Sequence, residues 1–355
     1  MAIGDQRDFE HTRTQLTAWL ARQLPAARDL AVSDLHAPGM GFSNETLLFD
    51  LTYRDGSAER REPLVVRFKP ATQIFPEYDL GLQYRVMQLL APTNVPVPRM
   101  RWQEPDPAVL GSSFYVMDRI AGIVPPDQPS YHAADVCTEL TPAQRATLWW
   151  DGLEVMTRIH QLDWRAAGFG FLDAPRWGRT PLAQQLGYYD HYLNWATNGA
   201  AHPTCDPALA WLRDHQPSNE PVSLCWGDSR IGNMLFDNCR CVAVLDWEMV
   251  TLGNPEQDLA WWLFLDWHHS AGLGIERLEG FPTREETIAR YEALMQRPVE
   301  HASYYEVFAA FRFAVIMIRV AHLTAAAGLS TDPNFAVNNI PSCRLAHLLG
   351  LPIPA

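Results

Sequence analysis

Residues 223–237 read SLCWGDSRIGNMLFD, and residues 242–258 read VAVLDWEMVTLGNPEQD. Asp228 stands five positions before Asn233, and a second aspartate, Asp246, closes an apolar run. A carboxylate, an amide and a second carboxylate in this order suit phosphoryl transfer. The first can orient a hydroxyl and accept its proton, while the other two can hold Mg²⁺. Mg²⁺ prefers oxygen ligands and binds through few protein groups plus phosphates, so an Asn carbonyl and an Asp carboxylate match its chemistry. MLFD and VAVLD read as short strands around the turn DNCR, a hairpin that brings Asn233 and Asp246 to one end of a sheet. Gly227 and Gly232 permit unusual backbone angles in the loop between.

Single Asp and Asn residues in loops are usually turn formers or caps. The combination here is more specific: GD-x-R-x-GN, an apolar strand ending in DWE, then G-x-P-x-x-D-L-A-W. With these motifs the chain resembles the aminoglycoside phosphotransferase family, small-molecule kinases with a protein-kinase-like fold, and is most similar to its acyl-CoA-dehydrogenase-associated branch. The motifs run from about residue 39 to residue 262. The resemblance implies an α+β, two-lobed fold. A small β-rich N-lobe with the phosphate loop would span residues 1–118. A larger, mainly helical C-lobe with the catalytic loop, metal site and substrate cleft would span 119–355. It also implies ATP as co-substrate with Mg²⁺, Asp228 as catalytic base, Asn233 and Asp246 as metal ligands, and Asp258 as support for the catalytic loop. Arg230, two residues after Asp228, is placed to neutralise charge on the transferred phosphoryl group.

At 355 residues the chain is long enough for two lobes with ample core. No apolar run approaches the length that spans a bilayer, and MAIGDQRDFEHTRTQ carries no signal-peptide pattern. The net charge of −13 argues against a nucleic-acid surface. Six cysteines lack metal-ligand spacing and read as reduced thiols of a cytoplasmic protein.

In the first third, residues 7–23 fit an amphipathic helix. Glycines 39 and 41 precede an alternating strand at 46–52, and a glycine turn there can lay backbone N–H groups over phosphates. The family likeness makes Ser43 and Asn44 the phosphate-loop pair. The strand LVVRFKP offers two cations on one face, Arg67 and Lys69. The likeness favours Arg67 as the residue that grips the nucleotide phosphates and leaves Lys69 as a solvated edge charge. Where relatives carry a glutamate to pair with that cation, this chain has Gln83, an amide without opposite charge. Residues 112–122 read as a strand and connector. In the family this is the hinge that binds adenine through its backbone, which points by position to Met117 and Asp118.

From residue 141 the pattern is helical, with helices expected over 181–197, 205–215, 256–269, 283–296, 301–327 and 335–349. His160, at a helix end, reads as structural, complementing the helix dipole. The tryptophans read mostly as core, with some available to line a cleft. Where the family has His-Gly-Asp, this chain has Trp226-Gly227-Asp228, and an indole can donate one hydrogen bond but accept none.

The leading function is transfer of the ATP γ-phosphoryl group to a hydroxyl of a small molecule. An aromatic-rich helical region suits hydroxyacyl-type or other alcohols better than aminoglycosides. A nucleotide-binding protein with little catalysis, motivated by Gln83 and Trp226, stays open. So do the acceptor, the choice of nucleotide and the oligomeric state.

Overall fold

Asp8 opens the first helix: its carboxylate accepts the His11 amide at 3.0 Å, satisfying one orphan donor of the first turn. The computed structural model, which describes residues 7–38, 45–218 and 220–354, continues from α1 (Phe9–Gln23) into β1 (Arg28–Val32), β2 (Glu45–Asp55) and β3 (Ala58–Phe68). Helix α2 (Leu80–Leu90), β4 (Met100–Glu104) and β5 (Phe114–Asp118) complete this part. The five strands form one antiparallel sheet in the order β1-β2-β3-β5-β4. Along β3, Leu64, Val66 and Phe68 join Leu47, Phe49, Phe114, Val116 and the Leu16, Trp19 and Leu20 face of α1 in one buried cluster. Val65 and Arg67 alternate to the opposite face, which Tyr115 of β5 shares. There Tyr115 meets α2, with its ring 6.1 Å from that of Tyr84.

The chain divides into two compact units. The described residues within Met1–Gln73, Glu77–Pro92 and Val97–Ala121 form the first, and those within Ile74–Pro76, Thr93–Pro96 and Gly122–Ala355 the second. The fold is mixed α+β, an antiparallel N-terminal sheet followed by a helical region.

The second unit contains α3 (Val136–Glu139), α4 (Pro142–His160), α5 (Pro181–Ala196), α6 (Cys205–Asp214), β6 (Ser223–Cys225), β7 (Met234–Asp237), β8 (Arg240–Val244), β9 (Thr251–Gly253), α7 (Glu256–His269), α8 (Arg284–Met295), α9 (Ala302–Ala326) and α10 (Ile340–Leu349). Caps legible in the sequence set several starts. Thr141 with Gln144 and Thr283 with Glu286 form capping boxes at α4 and α8. Helix α10 begins later than the expected 335, because Asn339 accepts the Ser342 amide at 3.0 Å and Pro341 occupies the first turn. Helices α5, α6, α7, α9 and α10 share one core, to which Tyr189, Tyr192, Leu212, Phe308, Phe311 and Leu345 contribute.

One expectation is corrected here. Helix α9 contains an 18-residue stretch with a mean hydropathy of 1.7, long and apolar enough to cross a membrane by length and composition, and 61% of that stretch is buried within the protein. A helix packed on most sides is apolar all round, which is how a core helix comes to pass the same test. None of the six cysteines forms a disulfide.

Candidate active site

Strands β6 and β9 pair antiparallel and pin the two ends of the motif-bearing segment. The loop from Trp226 to Asn233 leaves β6 through Gly227, whose φ is +93° and where a Cβ would lie 2.0 Å from the Met249 carbonyl oxygen. Only glycine fits there. Beneath the loop, the fully buried carboxylate of Asp258, in the first turn of α7, accepts the Trp226 amide at 2.6 Å and the Gly227 amide at 2.9 Å. The Ser229 hydroxyl donates to the Asp258 carbonyl at 2.7 Å. His160 sits 3.0 Å from the same carboxylate through Nε2, with its Nδ1 2.8 Å from the Tyr291 hydroxyl. The ring at the end of α4 is therefore structural through a specific partner, Asp258, beyond any effect of the helix dipole. A buried carboxylate is tolerated only when its oxygens are satisfied, and these are.

Asp228 projects from this fixed loop and gathers three donors. Trp261 Nε1 donates to Oδ1 at 2.7 Å and Asn233 Nδ2 to Oδ2 at 2.6 Å, while Arg230 Nε is 3.2 Å from both oxygens. Arg230 Nη1 pairs with Asp127. Burial works against the Arg230 charge, but the Asp127 and Asp228 carboxylates outweigh it and raise its pKa, so the cation persists.

The hairpin forms as its sequence suggests. Met234 of β7 faces Val244 of β8, and Asn238 and Cys239 both take left-handed backbone angles in the turn. The Leu245 amide donates to the Asn233 carbonyl at 2.9 Å, which sets Asp246 one residue beyond the asparagine's partner across the hairpin. Asp246 itself has φ +56°, a conformation Asp tolerates better than most residues. Trp226 fills the place of the family histidine: its indole Nε1 donates to the carbonyls of Leu245 at 2.8 Å and Asp246 at 3.2 Å. The single donor of the indole thus ties the Asp228 loop to the Asp246 turn.

From α9 comes a residue that sequence reasoning did not single out. Arg312, 1% exposed, donates from Nη2 to the Gly227 carbonyl at 2.8 Å and from Nε to the Tyr189 hydroxyl at 3.1 Å, and its guanidinium lies 4.5 Å from the Trp261 ring centre. Trp261 was likewise read only as core or cleft lining. The one available signal was its place three residues after Asp258 in the D-L-A-W motif.

The structure therefore brings together Asp228, Arg230, Asn233 and, next along the hairpin, Asp246. Arg67, Met117 and Asp118 belong to the first unit. Arg67 is buried on β3, in register with Thr46 and Tyr115. Gln83 is buried on α2, donates to the Tyr78 hydroxyl at 3.0 Å and lies 3.5 Å from the Tyr115 hydroxyl. Met117 is buried at the end of β5. The Asp118 carboxylate pairs with Arg101, and its amide donates to the Arg99 carbonyl at 2.9 Å. Ser43 and Asn44 lie outside the described residues.

The donor set suits a hard cation. Because the Asn233 amide nitrogen is committed to Asp228, its oxygen is turned away from that residue and is not spent on it. Among the described residues no cluster of three or more His, Cys, Asp or Glu could hold a metal ion.

The profile of the phosphotransferase enzyme family matches residues 34–294. The chain is 29% identical over 277 residues to acyl-CoA dehydrogenase family member 10 of Mus musculus, an alignment covering 75% of this chain and 25% of that protein. It thus spans about a quarter of that relative's length. A Ralstonia eutropha JMP134 protein provisionally named an aminoglycoside phosphotransferase has a crystal structure that superimposes with a TM-score of 0.67 at 26% identity, covering 94% of this chain and 95% of that one. Aminoglycoside phosphotransferase APH(4)-Ia, solved as a ternary complex with ADP and hygromycin B, shares the fold with a TM-score of 0.56 at 14% identity, over 95% and 98% of the two chains.

Proposed function

Since the chain belongs to the phosphotransferase enzyme family, we propose that it transfers the γ-phosphoryl group of ATP to a hydroxyl of a small molecule with Mg²⁺ present. The observation that carries this reading is the convergence of Trp261, Asn233 and Arg230 on the Asp228 carboxylate. Those bonds fix the carboxylate in one rotamer, so it can accept the acceptor's hydroxyl proton as the new O–P bond forms. Arg230 is a permanent cation beside it and offsets charge that develops on the phosphoryl oxygens. Asn233 and Asp246 would hold Mg²⁺, which when bound neutralises phosphate charge. On the first unit, Arg67 is assigned to the nucleotide phosphates, Ser43 and Asn44 to the phosphate loop, and the backbone at Met117 and Asp118 to the adenine. Gln83 is held by two tyrosines rather than by charge, so we assign it to placing α2 rather than to an ion pair.

ATP as donor is supported by the shared fold of an enzyme solved with ADP. For the acceptor we favour an uncharged or hydroxyacyl-type alcohol over an aminoglycoside. The helical region that follows the Asp228 loop is rich in aromatic residues, Trp261, Trp262, Phe264 and Trp267 among them, and that composition suits an acceptor with an apolar body. The test is a phosphate-ester assay by ³¹P NMR with Mg-ATP against hydroxyacyl thioesters, simple alcohols and aminoglycosides. A new phosphate ester from the first two classes is the expected result. Product from aminoglycosides alone overturns the acceptor assignment, and none from any class with intact ATP overturns the function.

A further inference from the structure

We infer that Asp127 is a positioning residue that keeps Arg230 from closing a two-pronged grip on Asp228. The inference rests on the phosphotransfer reading above. Arg230 meets Asp228 through Nε alone, while its Nη1 is taken by Asp127. A guanidinium beside a carboxylate otherwise favours two parallel N–H···O bonds. Such a fork would disable a base, because an ionised carboxylate offers about four acceptor positions. Trp261 takes one, Asn233 a second, and Arg230 Nε shares a third. Nη2, which lies on the same side of the guanidinium as Nε, would fill the place an incoming hydroxyl needs if the group slid along Asp228. By holding Nη1, on the opposite side, Asp127 keeps the guanidinium from making that slide.

Three features fit this role. Asp127 sits against the end of α7, with its Oδ1 3.3 Å from His269 Nε2. Its loop is anchored to the same helix: Ser130 Oγ donates to the His269 carbonyl at 2.5 Å, and the Tyr131 hydroxyl donates to Asp266 at 3.0 Å. Asp266 is locked in turn by Arg277 Nε at 2.7 Å. Gly232 completes the arrangement. A Cβ there would come within 2.6 Å of Arg230 Nη1 and 2.8 Å of Asp127 Oδ1, so the glycine of the GN motif leaves room for this ion pair.

The experiment is Asp127→Asn in the wild-type and Arg230→Gln backgrounds, with steady-state kinetics in Mg-ATP and a crystal structure of Asp127→Asn. In the wild-type background kcat is expected to fall about tenfold with the nucleotide KM unchanged, as for a misplaced catalytic group. In the Arg230→Gln background the same change should cost nothing more, because an effect exerted through Arg230 vanishes with it. The crystal structure should show a second Arg230 nitrogen on Asp228. Wild-type kcat in a folded Asp127→Asn protein overturns the inference, as does an equal fractional loss in both backgrounds. If the wild-type protein transfers no phosphate to any acceptor, the proposed function fails on that result alone. The crystal structure then still decides this inference: a forked Arg230 supports it, and an unmoved Arg230 overturns it.

Discussion

Trp261 Nε1 lies 2.7 Å from Asp228 Oδ1, so a tryptophan of α7 donates directly to the carboxylate assigned as base. The same ring stacks on the buried guanidinium of Arg312 at 4.5 Å, and Arg312 also holds the Gly227 carbonyl. The base is therefore fixed from below by a strap running from α9 through α7. Replacing Trp261 with Phe keeps the aromatic surface and removes the donor. The expected outcome is a fall in kcat of about tenfold, with stability lowered by about 1 kcal/mol, the usual worth of one hydrogen bond. Kinetics and urea unfolding of the same preparation check both.

Asp258 holds the loop itself. Asp258→Ala leaves the Trp226 and Gly227 amides and the His160 ring without their shared partner in a fully buried site. Orphaned buried polar groups cost about 1–3 kcal/mol each, so a loss of about 3–5 kcal/mol in urea unfolding is expected. Asp258→Asn keeps one acceptor oxygen and should cost less.

Trp226→Phe removes the bond that ties the Asp228 loop to the Leu245 and Asp246 carbonyls. The expected signature is a rise of about fivefold in the Mg²⁺ concentration that half-saturates turnover, corresponding to about 1 kcal/mol. Titration of activity with Mg²⁺ at saturating acceptor measures it.

Stability should depend on pH through His268. Burial, reinforced by the neighbouring His269 and opposed by Asp127, lowers its pKa to about 4, against the usual value near 6.5. Between those values the unfolded chain binds a proton that the folded protein refuses. Unfolding free energy therefore falls as pH drops from about 6.5 to about 4, and this contribution levels off below. The slope from one such histidine is about 1.4 kcal/mol per pH unit, and about 2–3 kcal/mol over the window. His202 and His269, also lowered by burial, act in the same direction. The difference between wild type and His268→Gln in urea unfolding at pH 7 and pH 4.5 isolates the His268 share.

The β7–β8 hairpin and most helix limits were legible because they rest on local signals: turn residues, caps and apolar periodicity. Thr141 and Thr283 announce their helices, and Asn238-Cys239 sits between two alternating strands. Long-range partners left no such mark. Arg312 is separated from Gly227 by 85 residues and Asp127 from Arg230 by 103, and nothing near either residue in sequence names the other. The three-residue strands β6 and β9 went unread for a related reason: each is too short to show a period, and they become strands by pairing with each other. The span of α9, 302–326 against an expected 301–327, was legible, but the length of its apolar stretch was underestimated.

The assignment of Asp228 is tested most directly by measuring Mg-ATP-dependent phosphate-ester formation with Asp228→Asn, alongside nucleotide binding by calorimetry. Asparagine keeps the size of the side chain and can still accept from Trp261, but it cannot take up a hydroxyl proton. Turnover should fall by about 10²–10⁴ with nucleotide affinity retained. Turnover within a factor of two of wild type would contradict the placing of the reaction at this carboxylate.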